Sequence, residues 1–103
     1  MVAEKRLTVR WTDKANQSFE DICKNIKQHS PSAALRVRSE IFKSIKSLPL
    51  HPEKYQIDEY YPHNPRTIRR FFRWSYRIIY EINEETIDIL NVIQTSQDTD
   101  KIK

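Results

Sequence analysis

The chain has 103 residues, 38% of them hydrophobic and 31% charged, a balance that fits one thin two-layer domain and argues against wholesale disorder. A formal net charge of +4 is a mild excess, compatible with nucleic acid or an acidic protein as partner and specific to neither. The absence of glycine excludes P-loops and glycine-rich dinucleotide-binding turns, and the single cysteine, Cys23, excludes an intrachain disulfide and fits a reducing cytoplasm.

The opening MVAEKRLTVRW has no long apolar run, so neither a signal peptide nor a membrane span is expected. From Lys5 to Trp11, Leu7, Val9 and Trp11 alternate with Arg6, Thr8 and Arg10, the period of a half-buried strand. Thr12 or Asp13 can cap a following helix, predicted over about Lys14 to His29 by the recurrence of Ala15, Phe19, Ile22, Cys23 and Ile26. His29 falls at its end, where the helix dipole favours a cation. Ser30-Pro31 restarts a second helix, with Ala34, Val37, Ile41, Ile45 and Leu48 as its apolar stripe and Leu35 and Phe42 flanking. Pro49 and Pro52 end it. The short joint predicts an antiparallel helical hairpin.

His51 to Asn64, broken by prolines, is left without a predicted element. Three strands follow, joined at Trp74-Ser75 and at Asn83-Glu84-Glu85. The expected fold is α+β in the order β-α-α-β-β-β: the N-terminal strand joins a C-terminal antiparallel meander and the helices cover one sheet face. Residues 1–97 form a single domain on this reading, and 98–103 a flexible tail.

The arginines are the first candidates for function. Arg69, Phe71 and Arg73 alternate with Arg70, Phe72 and Trp74 on one strand; on the next, Arg77, Ile79 and Glu81 oppose the more apolar Tyr76, Ile78, Tyr80 and Ile82. Arg77 is therefore expected on the open face. With Arg69 beside it, two guanidiniums would converge on a phosphate or a partner carboxylate; the alternative is cross-strand pairing with Glu81 or Asp88. His63 is a candidate general acid or base, whereas metal ligation and a nucleophilic Cys23 find no support in the spacing. Lys24, Lys27, Arg36, Arg38, Lys43 and Lys46 on the helices either follow a nucleic-acid backbone or simply solubilise the surface.

Taken in order, these segments resemble the RelE/ParE superfamily, the toxins of type II toxin–antitoxin pairs. The resemblance rests on Val9, Trp11, Thr12 and Ala15; on Ser30-Pro31, Ala34, Ile41 and Ile45; on Arg69-Arg70-Phe71 followed by Tyr76-Arg77-Ile78-Ile79-Tyr80-Glu81-Ile82; and on Ile87-Asp88-Ile89-Leu90-Asn91-Val92. It implies a plasmid-stabilisation type of toxin that binds an acidic antitoxin and uses no cofactor or metal. A homodimer or a toxin–antitoxin hetero-oligomer is compatible with it. It further implies one of two activities. RelE-like members cleave mRNA on the ribosome without metal; ParE-like members inhibit DNA gyrase.

Arg69 and Arg77 match positions at which the family commonly carries functional arginines, and Arg73, Gln94 and Gln97 join them as candidates for binding target or antitoxin. Where the family often has histidine and then arginine, this chain has Gln94 and Gln97. Glutamine forms hydrogen bonds but shuttles no proton near neutral pH, which favours a ParE-like binder. The RNA-cleaving alternative would draw on Arg69, Arg77 and His63, and a non-toxic interaction module of the same fold is a third reading.

Overall fold

A computed structural model describes residues 7–95, and the expected tail lies outside them. Strand β1 (Thr8–Trp11) leads into α1 (Asp13–His29) and α2 (Pro31–Lys46), followed by a 3-10 turn at Leu48–Leu50. Strands β2 (Gln56–Ile57), β3 (Ile68–Arg73), β4 (Tyr76–Ile82) and β5 (Thr86–Gln94) complete one five-stranded sheet in the order β1-β5-β4-β3-β2. The first and last strands pair in parallel, and every other pairing is antiparallel. The α+β order read from sequence holds.

Both helix starts follow from their caps. Thr12 accepts a bond from the Ala15 amide at 3.1 Å, and Ser30 one from the Ala33 amide at 3.2 Å, each satisfying an amide that the first turn leaves without a partner. Thr12 also donates to the Ile89 carbonyl at 2.8 Å, which ties the start of α1 to β5. Proline at the head of α2 gives up a donor that would be unused there.

One stripe from each helix closes on one sheet face. Ala15, Phe19, Cys23, Ile41 and Ile45 meet Phe71, Tyr76, Ile78, Tyr80, Ile87, Ile89 and Val92. Trp11, Phe19 and Phe42 stand 5.3 to 5.6 Å apart between ring centres, and Arg38 lies over Phe19 and Phe42 while its fork grips Glu20.

The irregular segment contains a strand after all. Gln56 and Ile57 pair with Arg70 and Arg69, a ladder too short to show a period in sequence. The residues before it close the end of the core: Tyr55 stacks on Phe71 at 4.6 Å, and the Tyr80 hydroxyl donates to the Pro52 carbonyl at 2.8 Å. The residues after it, Asp58 to Thr67, form a strap over the other sheet face. Beneath it Ile68 and Ile79 are buried on the side away from the helices.

Three non-glycine residues take left-handed backbone angles: His63 at φ 55°, Arg66 at 76° and Trp74 at 53°. Glycine would adopt these without steric cost, whereas another residue loses about 1–2 kcal/mol. Exposed Arg66 offers the simplest test. Arg66→Gly is expected to raise unfolding stability by about 0.5–1 kcal/mol, the relieved strain less glycine's added backbone entropy, measured by urea denaturation.

Candidate interaction site

Directly opposed residues of an antiparallel pair point to the same face. Arg69 opposes Tyr80 and Arg73 opposes Tyr76, so both arginines lie on the helix side. Arg77 opposes Phe72 and lies on the other. The convergence of Arg69 and Arg77 anticipated from sequence is therefore corrected: the two guanidiniums sit on opposite faces of the sheet.

Each is also occupied. On the inner face Arg69 donates from Nη1 to the carbonyls of Tyr55 at 2.6 Å and Glu53 at 3.4 Å. With Tyr80 on Pro52, it fastens the 52–55 segment from beneath. On the outer face Arg77 donates to Asp58 at 3.3 Å, and the Tyr60 ring lies 5.2 Å from its guanidinium carbon. Asp58 is 1% exposed, and its second oxygen accepts the Tyr60 amide at 2.9 Å. Next to it Glu59 receives three hydrogen bonds from Arg70 at 2.8 to 3.1 Å. Two consecutive carboxylates of the strap thus neutralise two consecutive strands' outward arginines. Glu81 instead accepts from Thr67, and Asp88 accepts from Arg10 and Asn83.

Asn64 holds the strap in shape. Its amide group donates to the carbonyls of Asp58 and Ile68, both at 2.9 Å, and its oxygen accepts the amides of Arg66 and Ile68. Sequence reasoning did not single it out, although an asparagine between two prolines is a turn signal. His63 lies exposed on this strap. Gln94 opposes Tyr76, which places Arg73, Tyr76 and Gln94 side by side across three strands at the hairpin end of the inner face. Gln97 lies outside the described residues.

Two depressions border these groups, and a further groove lies between the helices. One of about 370 Å³ on the outer face has Ile79, Leu90 and Ile93 as apolar lining, with Tyr60, Tyr61 and Pro62 from the strap and the cations Lys14 and Arg77. Leu90 enters it because β5 carries one extra residue there, between partners of Ile79 and Tyr80. A groove of about 590 Å³ runs between α1 and α2 past Cys23, Ala34 and Leu35. Burial pushes the Cys23 thiol up, away from thiolate chemistry. The other depression, at the hairpin end, is bounded by Ile26, Val37, Arg36 and Trp74.

Burial raises the Tyr80 hydroxyl to about 12, so it stays protonated at neutral pH. The bonds from Arg10 hold Asp88 below the ordinary aspartate range, and those from Arg70 do the same for Glu59. Among the described residues no three histidine, cysteine or acidic side chains gather into a metal-binding group, and no helix is long and apolar enough to cross a membrane.

A two-layer fold with an arginine-bearing meander defines the class of protein. Residues 9–99 match the family described as the ParE toxin of type II toxin–antitoxin systems, parDE, and the chain belongs to that family. No curated protein matches it as a relative. Among solved structures it is similar to the chromosomal ParDE toxin–antitoxin system of P. aeruginosa, with a TM-score of 0.70 and 19% identity over 86% of this chain and 96% of the other. It is also similar to the RelBE2 toxin–antitoxin complex of Mycobacterium tuberculosis, with a TM-score of 0.60 and 20% identity over 89% and 94%.

Two predictions follow from these contacts. Arg69→Met, which keeps the stem and removes the donors, should destabilise by about 1–3 kcal/mol in urea denaturation because the loop carbonyls lose their partners. A carboxylate depressed in the fold stabilises above its unfolded value, which for Asp88 is 3.8, and loses that contribution as pH falls through the folded value. The stability gap between the native chain and Asp88→Asn should thus be full above about pH 5 and close progressively in acid, as read from denaturation midpoints.

Proposed function

We propose that this toxin acts by binding a protein target, with an acidic antitoxin as its neutralising partner and DNA gyrase as the target, in the cytoplasm. The family match supports the class. The observation that carries the mode of action is the separation of Arg69 from Arg77. Cleavage of RNA by its 2′-hydroxyl needs a base, an acid and a cation gathered on one phosphate. Here the two arginines are divided by the sheet and engaged with loop carbonyls and Asp58. The phenol of Tyr80, opposite the inner arginine, is held as a neutral donor, and Gln94 carries no titratable proton. A charged, partly apolar surface without a proton-transfer set supports recognition over bond cleavage.

The antitoxin follows from the same chemistry. A cationic surface with apolar depressions suits an acidic segment that orders on binding, and both similar solved structures are toxin–antitoxin assemblies. Induction of the chain alone is expected to slow growth, co-expression of a neighbouring acidic open reading frame to restore it, and the purified chain to inhibit gyrase supercoiling. Primer extension on mRNA from induced cells should show no ribosome-phased cuts. Such cuts with supercoiling untouched would establish the RNA-cleaving reading instead, and normal growth with neither effect would point to a non-toxic interaction module.

A further inference from the structure

The sheet's arginines are not equally committed. Arg10, Arg69, Arg70 and Arg77 each hold a carboxylate or a loop carbonyl. Arg73 makes no ion pair or side-chain hydrogen bond among the described residues, and neither does Arg36 on α2. Both stand by the hairpin end: Arg36 borders the depression there, and Arg73 opposes Tyr76, which lines it.

Trp74 projects from the same place. The residue is 53% exposed and its backbone is held at φ 53°, where a bulky residue is costly. Thr95 donates two hydrogen bonds to the Ser75 carbonyl, one from its amide at 2.6 Å and one from its hydroxyl at 2.7 Å, and these clamp the turn that carries Trp74. The depression beside it measures about 370 Å³ and is apolar through Ile26, Val37 and Tyr76. An exposed indole next to an apolar hollow and two guanidiniums without a hydrogen-bond partner among the described residues has the composition of a binding hot spot.

We propose that this hairpin-end patch is a protein-docking surface whose occupant is an acidic segment of a partner, seating an aliphatic side chain in the hollow between carboxylates held by Arg36 and Arg73. Charge complementarity selects the acid. The aliphatic lining selects a peptide side chain over a base, since Trp74 is the one exposed ring at this hollow. The inference does not rest on the gyrase reading, because it concerns binding alone and is tested on the isolated chain.

The probe is a capped, acidic peptide alternating glutamate and leucine, titrated into the full-length chain by NMR. Saturable shifts of the Trp74 indole and of Val37 and Tyr76 are expected, weakened by about tenfold in Trp74→Ala and in Arg73→Gln, and unchanged in Lys43→Gln, which removes an equal charge elsewhere on α2. Circular dichroism confirms that each variant is folded. Shifts centred on the outer-face depression or the groove between the helices would overturn the proposal. So would tighter binding of a single-stranded oligonucleotide at this patch, or failure of acrylamide to quench Trp74 in the free chain because its own terminal segment covers it.

Discussion

The two-residue connection at Trp74 and Ser75 fixes β3 against β4, and that register decides the side of the sheet on which every arginine emerges. Arg73 meets Tyr76 next to the turn, and from there each step outward is determined: Phe71 meets Ile78 and Arg69 meets Tyr80. A slip of one residue would merely exchange Phe71 for Phe72 in the core, but it would turn Arg69 away from the Tyr55 carbonyl and Arg70 away from Glu59, each such charged hydrogen bond contributing roughly 1.5–3 kcal/mol. Against that, the left-handed angle imposed on Trp74 costs about 1–2 kcal/mol. The ladder outweighs the turn, so a bulky residue sits where a glycine would ordinarily be found.

The strap solves a second problem that the helices cannot reach. Helices cover one side only, yet Ile68 and Ile79 face the other and need burial. Asp58 to Thr67 supplies it. A covering segment brings its own backbone groups, and these require partners. Asn64 provides four hydrogen bonds from one side chain, and Asp58 bonds the Tyr60 amide while meeting Arg77. The outward arginines thus serve as anchors for the cover. An Asp58–Arg77 pair this buried is costly to break, about 3–5 kcal/mol when one partner is removed, because the other charge is stranded.

Much of this was legible in the chain. Thr12 and Ser30-Pro31 announced their helices through cap chemistry, and the periodic stripes over Phe19 and Ile41 are the stripes that are buried. Those signals are local, set by side chains within a turn of one another. The facing of Arg69 was legible too, since a two-residue turn makes Arg73 and Tyr76 partners and places Arg69 opposite Tyr80; treating the strands separately left that relation open. The partners of the arginines were not. Cross-strand pairing suggested Glu81 or Asp88 for Arg77, but Thr67 and Arg10 claim those acids, and Arg77 takes Asp58 from an irregular segment. The β2 ladder has the same origin: two residues extended only because β3 offers an edge.

The division among the arginines also shapes the protein's electric field. A guanidinium within hydrogen-bond distance of a carboxylate projects little charge, since the pair acts at range as a dipole and exposed remnants are screened within about 8–10 Å at ordinary salt. Arg10, Arg38, Arg70 and Arg77 are paired in this way. The net excess of +4 is consequently weighted towards other cations, among them Lys14 at the outer depression, Arg66 on the strap, lysines on the helices, and Arg36 and Arg73 by the hairpin. A polyanion needs a continuous row of charge, and the sheet's outer face breaks that row at every arginine. A partner that brings a few carboxylates on an apolar segment needs only isolated cations beside hollows, which is the pattern this surface presents.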